Sequence, residues 1–173
     1  DVSLVGSEMC IRDRIKTVSD QQALWESLND DRIDVIATDH APHTLNEKSN
    51  NYLNCPSGGP LVQHSLNMMF EHYLNKKITL EKIVQKMCHN PAILFRVNKR
   101  GFIRKNYFAD IVIIDPRKNY TVDSNNILYK CGWSPFEGTK FNSQITHTFI
   151  NGNLVYENGL INEDFRGKKI SFE

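Results

Sequence analysis

The chain has 173 residues, of which 40% are hydrophobic and 24% charged, and its formal net charge is +1. This composition is that of a globular protein rather than a disordered one. It carries no basic stripe and no apolar run of about 18 residues, which argues against a nucleic-acid partner and against a membrane span. The four cysteines are scattered without a CxxC pair, which predicts free thiols in a reducing cytoplasm.

The first residues of the chain differ in character from the rest. The sequence begins with Asp rather than Met, and residues 2–14 have neither a helical nor a strand period. They also resemble a translated sequencing-adapter stretch. We therefore expect a truncated reading frame with residues 1–14 non-native, and we exclude them from the fold prediction.

A helix and a strand are predicted next. Ser19, with an amide residue three positions on, predicts a helix start, and the apolar spacing that follows carries the helix to about Asn29. Residues 33–38 are β-rich and largely apolar, which is typical of a buried strand in a parallel sheet covered by helices. A helix, a short loop and a buried strand together make a fragment of an α/β unit.

A long loop and three further helices follow. Residues 39–60 are rich in Asn, Ser, Pro and Gly, and a loop of this length is usually functional or disordered. Helical spacing is then predicted at residues 61–74, at residues 80–88 behind a Thr79 cap, and from Asn90-Pro91 to Phe95.

The chain becomes mostly β after Gly101. Strands are predicted at residues 109–115 and 120–122, and Asn151-Gly152 predicts the type I′ turn of a hairpin. We therefore place a domain boundary near residue 100, a β domain over residues 101–160, and a loosely held tail over residues 161–173.

The residues with the clearest chemical potential are Asp39, His40 and His43. They form the only tight cluster of histidines with an acid, and they follow the predicted strand at the end where α/β proteins carry their sites. A carboxylate there can ligate a cation and can accept a proton from a metal-bound water. The residue types also allow an aspartate that caps the loop beside two surface histidines. A two-histidine zinc site is weaker, because no third ligand lies nearby.

Other polar and aromatic residues receive structural expectations. His64 and His72 lie eight residues apart on a predicted helix, and we expect both at the surface. Trp133 and Phe136 are expected to pack at the junction of the two domains.

The decapeptide VIATDHAPHT, residues 35–44, resembles the last barrel strand and following loop of dihydroorotases in the amidohydrolase superfamily. The likeness extends in order over about residues 15–158. It includes Glu47-Lys48, Pro56-Ser57-Gly58, the stretch 87–92, the return strand 101–115 and the WSPFEG stretch 133–138.

The resemblance implies a fold and a set of roles. The fold would be the C-terminal part of a TIM-like (β/α)8 barrel (residues 15–100) plus part of a small flanking β-sandwich (residues 101–160). Asp39 would be the metal-ligating aspartate that shuttles the catalytic proton, and His43 would bind the substrate carboxylate. Ser57 and Gly58 would contact the pyrimidine ring through their backbone, and His40 would have a structural role.

The implied activity is zinc-dependent, reversible hydrolysis of dihydroorotate to N-carbamoyl-aspartate in pyrimidine synthesis, with one or two Zn²⁺ ions. The family's other metal ligands are absent from the chain and would lie upstream, so we expect the 173 residues alone to be inactive. Arg12-Asp13-Arg14 stand where the family has Asn-Pro-Pro. A homodimer or an association with aspartate transcarbamoylase is the implied assembly.

Two alternatives stay open. The first is another cyclic amidase, namely a hydantoinase, dihydropyrimidinase or allantoinase, which tends to have a different residue at the His43 position. The second is an inactive dihydroorotase-like subunit that serves as a scaffold for a transcarbamoylase.

Overall fold

A computed structural model describes residues 17–173. The stretch 1–14 that was set aside on its sequence lies outside the described residues. Helices occupy the first part of the described chain and antiparallel strands the second. The helices are α1 (Val18–Asn29), α2 (Leu45–Lys48), a 3₁₀ turn (Val62–His64), α3 (Ser65–Leu74), α4 (Leu80–Val84), a π-helical segment (Gln85–His89) and α5 (Asn90–Leu94).

The helix boundaries follow from local capping. The N-cap of helix α1 is Thr17, two residues before the predicted cap Ser19, because Thr17 and Asp20 form a reciprocal capping box. Thr79 caps α4 as predicted, accepting a hydrogen bond from the backbone N–H of Lys82. The two helices expected on either side of His89 are instead joined through the π-helical segment.

The predicted buried strand at residues 33–38 is wrong for the described chain. Residues 34–39 have no regular secondary structure, and the only parallel pairing in the described part is an isolated bridge between His40 and Gly59. A strand exists only where a neighbour exchanges backbone hydrogen bonds with it. Here no neighbouring strand is described, and the segment lies against a helix instead.

A small apolar core carries this segment. Leu28, Met69, Ile78 and Ile83 are buried together at the centre of the helical part. Ile33, Ile36, Trp25, Leu66, Tyr73 and Met87 pack around them. The apolar residues that predicted a strand are thus used for packing, with Ile33 and Ile36 fixing the backbone that leads to Asp39.

The β part contains two sets of strands. A four-stranded antiparallel sheet has the order β1 (Ile111–Asp115), β4 (Gln144–Ile150), β5 (Asn153–Glu157) and β6 (Leu160–Ile161). A separate pair joins β2 (Tyr120–Thr121) to β3 (Lys140–Phe141). The predicted hairpin turn is confirmed, since Asn151 and Gly152 have φ values of 52° and 82° between β4 and β5. A complete β-sandwich stays a prediction.

An aromatic cluster joins the helical part to the β part. His64, expected at the surface, is instead fully buried, with the rings of Tyr120, Tyr129, Phe136 and Phe141 around it. Burial lowers its pKa to about 4, so the imidazole is neutral at pH 7. The prediction was wrong because the period of an isolated helix does not reveal that the β part covers this face.

The same junction borders a cavity of about 420 Å³ between the start of α3 and strands β4 and β5. None of the residues around it belongs to the loop that follows Asp39. No helix in the described part of the chain is long and apolar enough to cross a membrane.

Candidate active site

The loop of residues 39–61, here called the corner loop, begins with a strained and exposed acid. Asp39 has a φ of 45°, a left-handed conformation that is uncommon outside glycine but tolerated by Asp and Asn. Its side chain is exposed, and its carboxylate makes no hydrogen bond or ion pair within the part of the chain that the structure describes. The carboxylate is therefore open to an external ligand.

The two arms of the corner loop are joined by hydrogen bonds near its ends. The N–H of Ala41 donates to the carbonyl of Gly59 at 3.2 Å, and the N–H of Leu61 donates to Nδ1 of His40 at 3.0 Å. Nδ1 of His40 is thus an acceptor without a proton. His40 serves the architecture of the loop here.

Gly58 allows the arms to come close. It has a φ of +98°, and a Cβ added there would lie 2.6 Å from Cβ of Ala41. Such a distance is shorter than real Cβ contacts, so only glycine fits without movement. The approach brings Gly58, the neighbour of Ser57, against the arm that carries Asp39 and His43. The resemblance gives these four residues their expected roles in catalysis and substrate binding.

His43 lies beside an acid. Its Nδ1 is 3.7 Å from Oε2 of Glu47, and its side chain is 32% exposed. Glu47 accepts hydrogen bonds from the N–H and hydroxyl of Thr44 at 2.7 and 2.9 Å, and these bonds lower the pKa of the Glu47 carboxyl. A protonated His43 would therefore have a charged partner within the loop.

Two side chains outside the predicted set brace the corner loop. Nζ of Lys48 donates to the carbonyls of Pro56 and Gly58 at 2.8 and 3.1 Å. Nε1 of Trp133, ninety residues along the chain, donates to the carbonyl of His43 at 2.7 Å. These three bonds satisfy backbone carbonyls that no strand ladder or helix pairs.

The segment that leads into Asp39 is braced in the same way. The fully buried Lys86 donates from Nζ to the carbonyl of Ile33 at 2.5 Å and pairs with Asp31 at 2.8 Å. Asn90 donates to the carbonyl of Asp34 at 2.7 Å, and the N–H of Ile36 donates to the carbonyl of Lys86. Hydrogen bonds from Lys82 and then Lys86 lower the pKa of Asp31.

A metal site is incomplete within these residues. Among the residues described, no group of three or more His, Cys, Asp or Glu side chains is arranged to hold a metal ion. Zinc sites generally take at least three protein ligands. The free carboxylate of Asp39 fits the part of one ligand, and the described residues alone do not fit a whole zinc site.

Sequence reasoning missed three of the bracing residues, namely Lys48, Lys86 and Trp133. Lys48 was noted only as part of the resemblance, and Trp133 was assigned to domain packing. Lys86 gave no signal, because a lysine one turn away from other polar residues is normally solvated. A buried lysine of this kind can be recognised only when the structure shows which carbonyl accepts its hydrogen bond.

A family model described as "Amidohydrolase family" matches residues 1–155. The dihydroorotase of Clostridioides difficile (strain 630) is 34% identical over 90% of this chain and 37% of its own length. The dihydroorotase of Pyrococcus furiosus is 33% identical over 90% of this chain and 36% of its own length. The multifunctional protein pyr1-3 of Dictyostelium discoideum is 32% identical over 93% of this chain and 7% of its own length. The chain thus spans little more than a third of the first two relatives.

Solved structures with the same fold include hydantoinases. A D-hydantoinase superposes with a TM-score of 0.79 at 20% identity, covering 92% of this chain and 35% of the other. The L-hydantoinase (dihydropyrimidinase) from Arthrobacter aurescens has a TM-score of 0.74 at 28% identity, covering 86% of this chain and 34% of the other. These likenesses show a mixed α/β amidohydrolase fold in which the helical and β parts keep their arrangement.

Proposed function

The chain belongs to the amidohydrolase family, and from this premise we propose that it is the C-terminal part of a dihydroorotase. The reaction would be the reversible hydrolysis of dihydroorotate to N-carbamoyl-aspartate in pyrimidine synthesis. Residues 15–100 would close a (β/α)8 barrel, and residues 101–160 would contribute to a flanking β-sandwich. The longer protein that would contain this chain is called the full-length enzyme below.

One observation carries the proposal: the corner loop combines a free carboxylate, an imidazole and a glycine-bearing arm in one hydrogen-bonded unit. The carboxylate of Asp39 is suited to a proton carrier because no group in the described part of the chain occupies its oxygens, so a water and a substrate can reach them. Asp39 would take a proton from the attacking water while the oxygen of that water bonds to the ring carbonyl carbon. It would return that proton to the ring nitrogen as the C–N bond breaks.

The substrate would be held by the other two parts of the loop. His43 would donate a ring N–H to the substrate carboxylate, a charge-assisted bond when the imidazole is protonated. The backbone N–H groups of Ser57 and Gly58 donate no hydrogen bond in the described part of the chain, so they are available to the ring. The Gly58 carbonyl already accepts a hydrogen bond from Lys48. The backbone N–H groups of this arm are therefore the groups that would bind the substrate.

Zinc, as one or two ions, remains part of the proposal. When bound, it would supply Lewis acidity toward the water and the carbonyl. Asp39 would contribute one ligand, and the others would come from outside the described residues. We accordingly expect the isolated 173 residues to have no measurable hydrolase activity.

The likeness to hydantoinase structures favours one alternative, a hydantoinase or dihydropyrimidinase acting on a neutral ring. His43 separates the two, because an imidazole that binds a carboxylate has no partner in a ring without one. A scaffold role beside a transcarbamoylase remains the non-enzymatic alternative. The similarity to a multifunctional protein supports an association with other enzymes.

The direct test is Asp39→Asn in the full-length enzyme, assayed with dihydroorotate, hydantoin and allantoin. We expect dihydroorotate to be the preferred substrate and the substitution to lower kcat by about 10²–10⁴-fold, the range of general acid–base catalysis. The control is Asp34→Asn, an exposed acid on the same segment, which should retain near-normal turnover. Normal turnover of Asp39→Asn with metal content unchanged would contradict the proton-carrier role.

A further inference from the structure

Trp133 lies in a segment that is firmly attached to the helical part. In this docking segment (residues 126–136), the hydroxyl of Tyr129 accepts from the N–H of Gln63 at 2.7 Å. The Gln63 side chain in turn binds the backbone of Asn126 and Leu128. Several long-range bonds therefore fix where the indole of Trp133 can lie.

The residue after Trp133 adds a buried anchor. Ser134 is buried, and its hydroxyl lies 3.3 Å from Nδ1 of the fully buried His64. The same hydroxyl accepts from the N–H of Phe136 at 3.2 Å. A half-buried tryptophan beside such an anchor loses little further side-chain entropy when it makes a contact.

The indole lies between the two arms of the corner loop. Its N–H donates to the carbonyl of His43 at 2.7 Å on one arm. On the other arm, a Cβ added at Gly59 would lie 3.9 Å from Cη2 of Trp133, so the far edge of the ring faces that glycine and lies close to it. One rigid side chain therefore spans the gap between the two arms.

From this geometry we propose that Trp133 is a positioning residue that sets the spacing between His43 and the Ser57–Gly58 arm. The proposal rests on the proposed function, in which those two groups hold opposite sides of one cyclic amide. The β part of the chain would then act in substrate recognition without touching the substrate. Loss of the indole N–H would free the His43 backbone, and the imidazole would lose its fixed distance from the ring-binding amides.

The test compares Trp133→Phe with Trp25→Phe in the full-length enzyme. Trp25, the other tryptophan, makes an edge-to-face contact with His72 and packs against the core of the helical part. For Trp133→Phe we expect KM for the cyclic amide to rise about tenfold, the factor that corresponds to one ordinary hydrogen bond. We expect kcat to stay within about twofold, because the indole bonds the backbone of His43 and not that of Asp39.

Amide hydrogen exchange provides a readout that does not depend on turnover. In Trp133→Phe, exchange should quicken at the amides of Ala41 and Leu61, which close the corner loop, and Trp25→Phe should leave these two amides unchanged. Unchanged exchange, or faster exchange with an unchanged KM, would overturn the positioning role. If the wild-type enzyme hydrolyses none of dihydroorotate, hydantoin and allantoin, the proposed function fails. The exchange data then still decide whether Trp133 holds the corner loop.

Discussion

The helical part and the β part of this molecule satisfy their backbone polar groups in different ways. In the β part, β1, β4, β5 and β6 pair their N–H and carbonyl groups with each other in antiparallel ladders. Around the corner loop, backbone carbonyls instead accept hydrogen bonds from the side chains of Lys48, Lys86, Asn90 and Trp133. A ladder tolerates most side chains, whereas a side-chain brace depends on one residue.

The difference has a functional consequence. Irregular backbone can direct its N–H groups and side chains toward a ligand, because those N–H groups are not already hydrogen-bonded to a neighbouring strand. It also needs support, since an unpaired buried carbonyl costs free energy. The bracing residues supply that support, and the sensitivity of each part to substitution should differ accordingly.

The largest effect on stability is expected from Lys86→Met, which keeps the volume of the side chain and removes its charge. The carbonyl of Ile33 would lose its buried donor, and Asp31 would lose one of its two lysines. We expect the free energy of unfolding of the full-length enzyme to fall by about 2–3 kcal/mol, the worth of a buried hydrogen bond to a charged group. Urea unfolding measures this change.

Lys82→Met is the matched control, because Lys82 also pairs with Asp31 and is partly exposed, but its Nζ donates to no carbonyl within the described residues. It should cost less than about 1 kcal/mol, as exposed ion pairs do. Equal losses in the two variants would mean that the ion pair, and not the brace on Ile33, stabilises this part.

A smaller effect, of about 2 kcal/mol, is expected from pH at the junction of the two parts. Burial lowers the pKa of His64 from 6.5 to about 4, so the unfolded chain binds this proton first as the pH falls. The contribution of His64 is therefore fully present above pH 6.5 and is lost between about pH 6.5 and 4. Wild type should lose about 2 kcal/mol more than His64→Phe between pH 7 and 5.

The measurement is urea unfolding of both proteins at the two pH values. Other titrating groups are common to both, so only the difference between them reports on His64. Parallel pH dependences would show that water reaches His64 at the junction and that the two parts are less closely packed than described.

The smallest expected difference, about 1 kcal/mol, separates two glycines that both have a positive φ. Gly58 and Gly152 have φ values of +98° and +82°, but an added Cβ meets Ala41 only at Gly58 and meets nothing within 4 Å at Gly152. Gly152→Ala should cost about 1 kcal/mol, the price of a left-handed non-glycine residue. Gly58→Ala should cost about 2 kcal/mol and should also raise KM, because the arms must separate. Thermal unfolding and steady-state kinetics of both variants provide the comparison, and equal costs would mean that the corner loop yields as easily as a hairpin turn.

Much of the local structure was available from the sequence. The caps and apolar spacing predicted the longer helices within a few residues, although not the short α2, which lies in the predicted loop. Asn151-Gly152 predicted its hairpin. These signals depend on neighbours a few positions apart. The ordered likeness to dihydroorotases, spread over most of the chain, correctly indicated the amidohydrolase family. The roles of Asp39, His43, Ser57 and Gly58 were also formulated from that likeness and remain proposals.

Tertiary structure decided what depends on distant partners. Residues 33–38 have the composition of a strand, yet no neighbouring strand pairs with them in the described chain, and Lys86 and Asn90 bind their carbonyls instead. His64 has the spacing of a surface residue, yet the β part covers it. The corner at Asp39 was visible as a motif, but its bracing by Trp133 joins residues ninety positions apart, and only packing in three dimensions specifies such a contact.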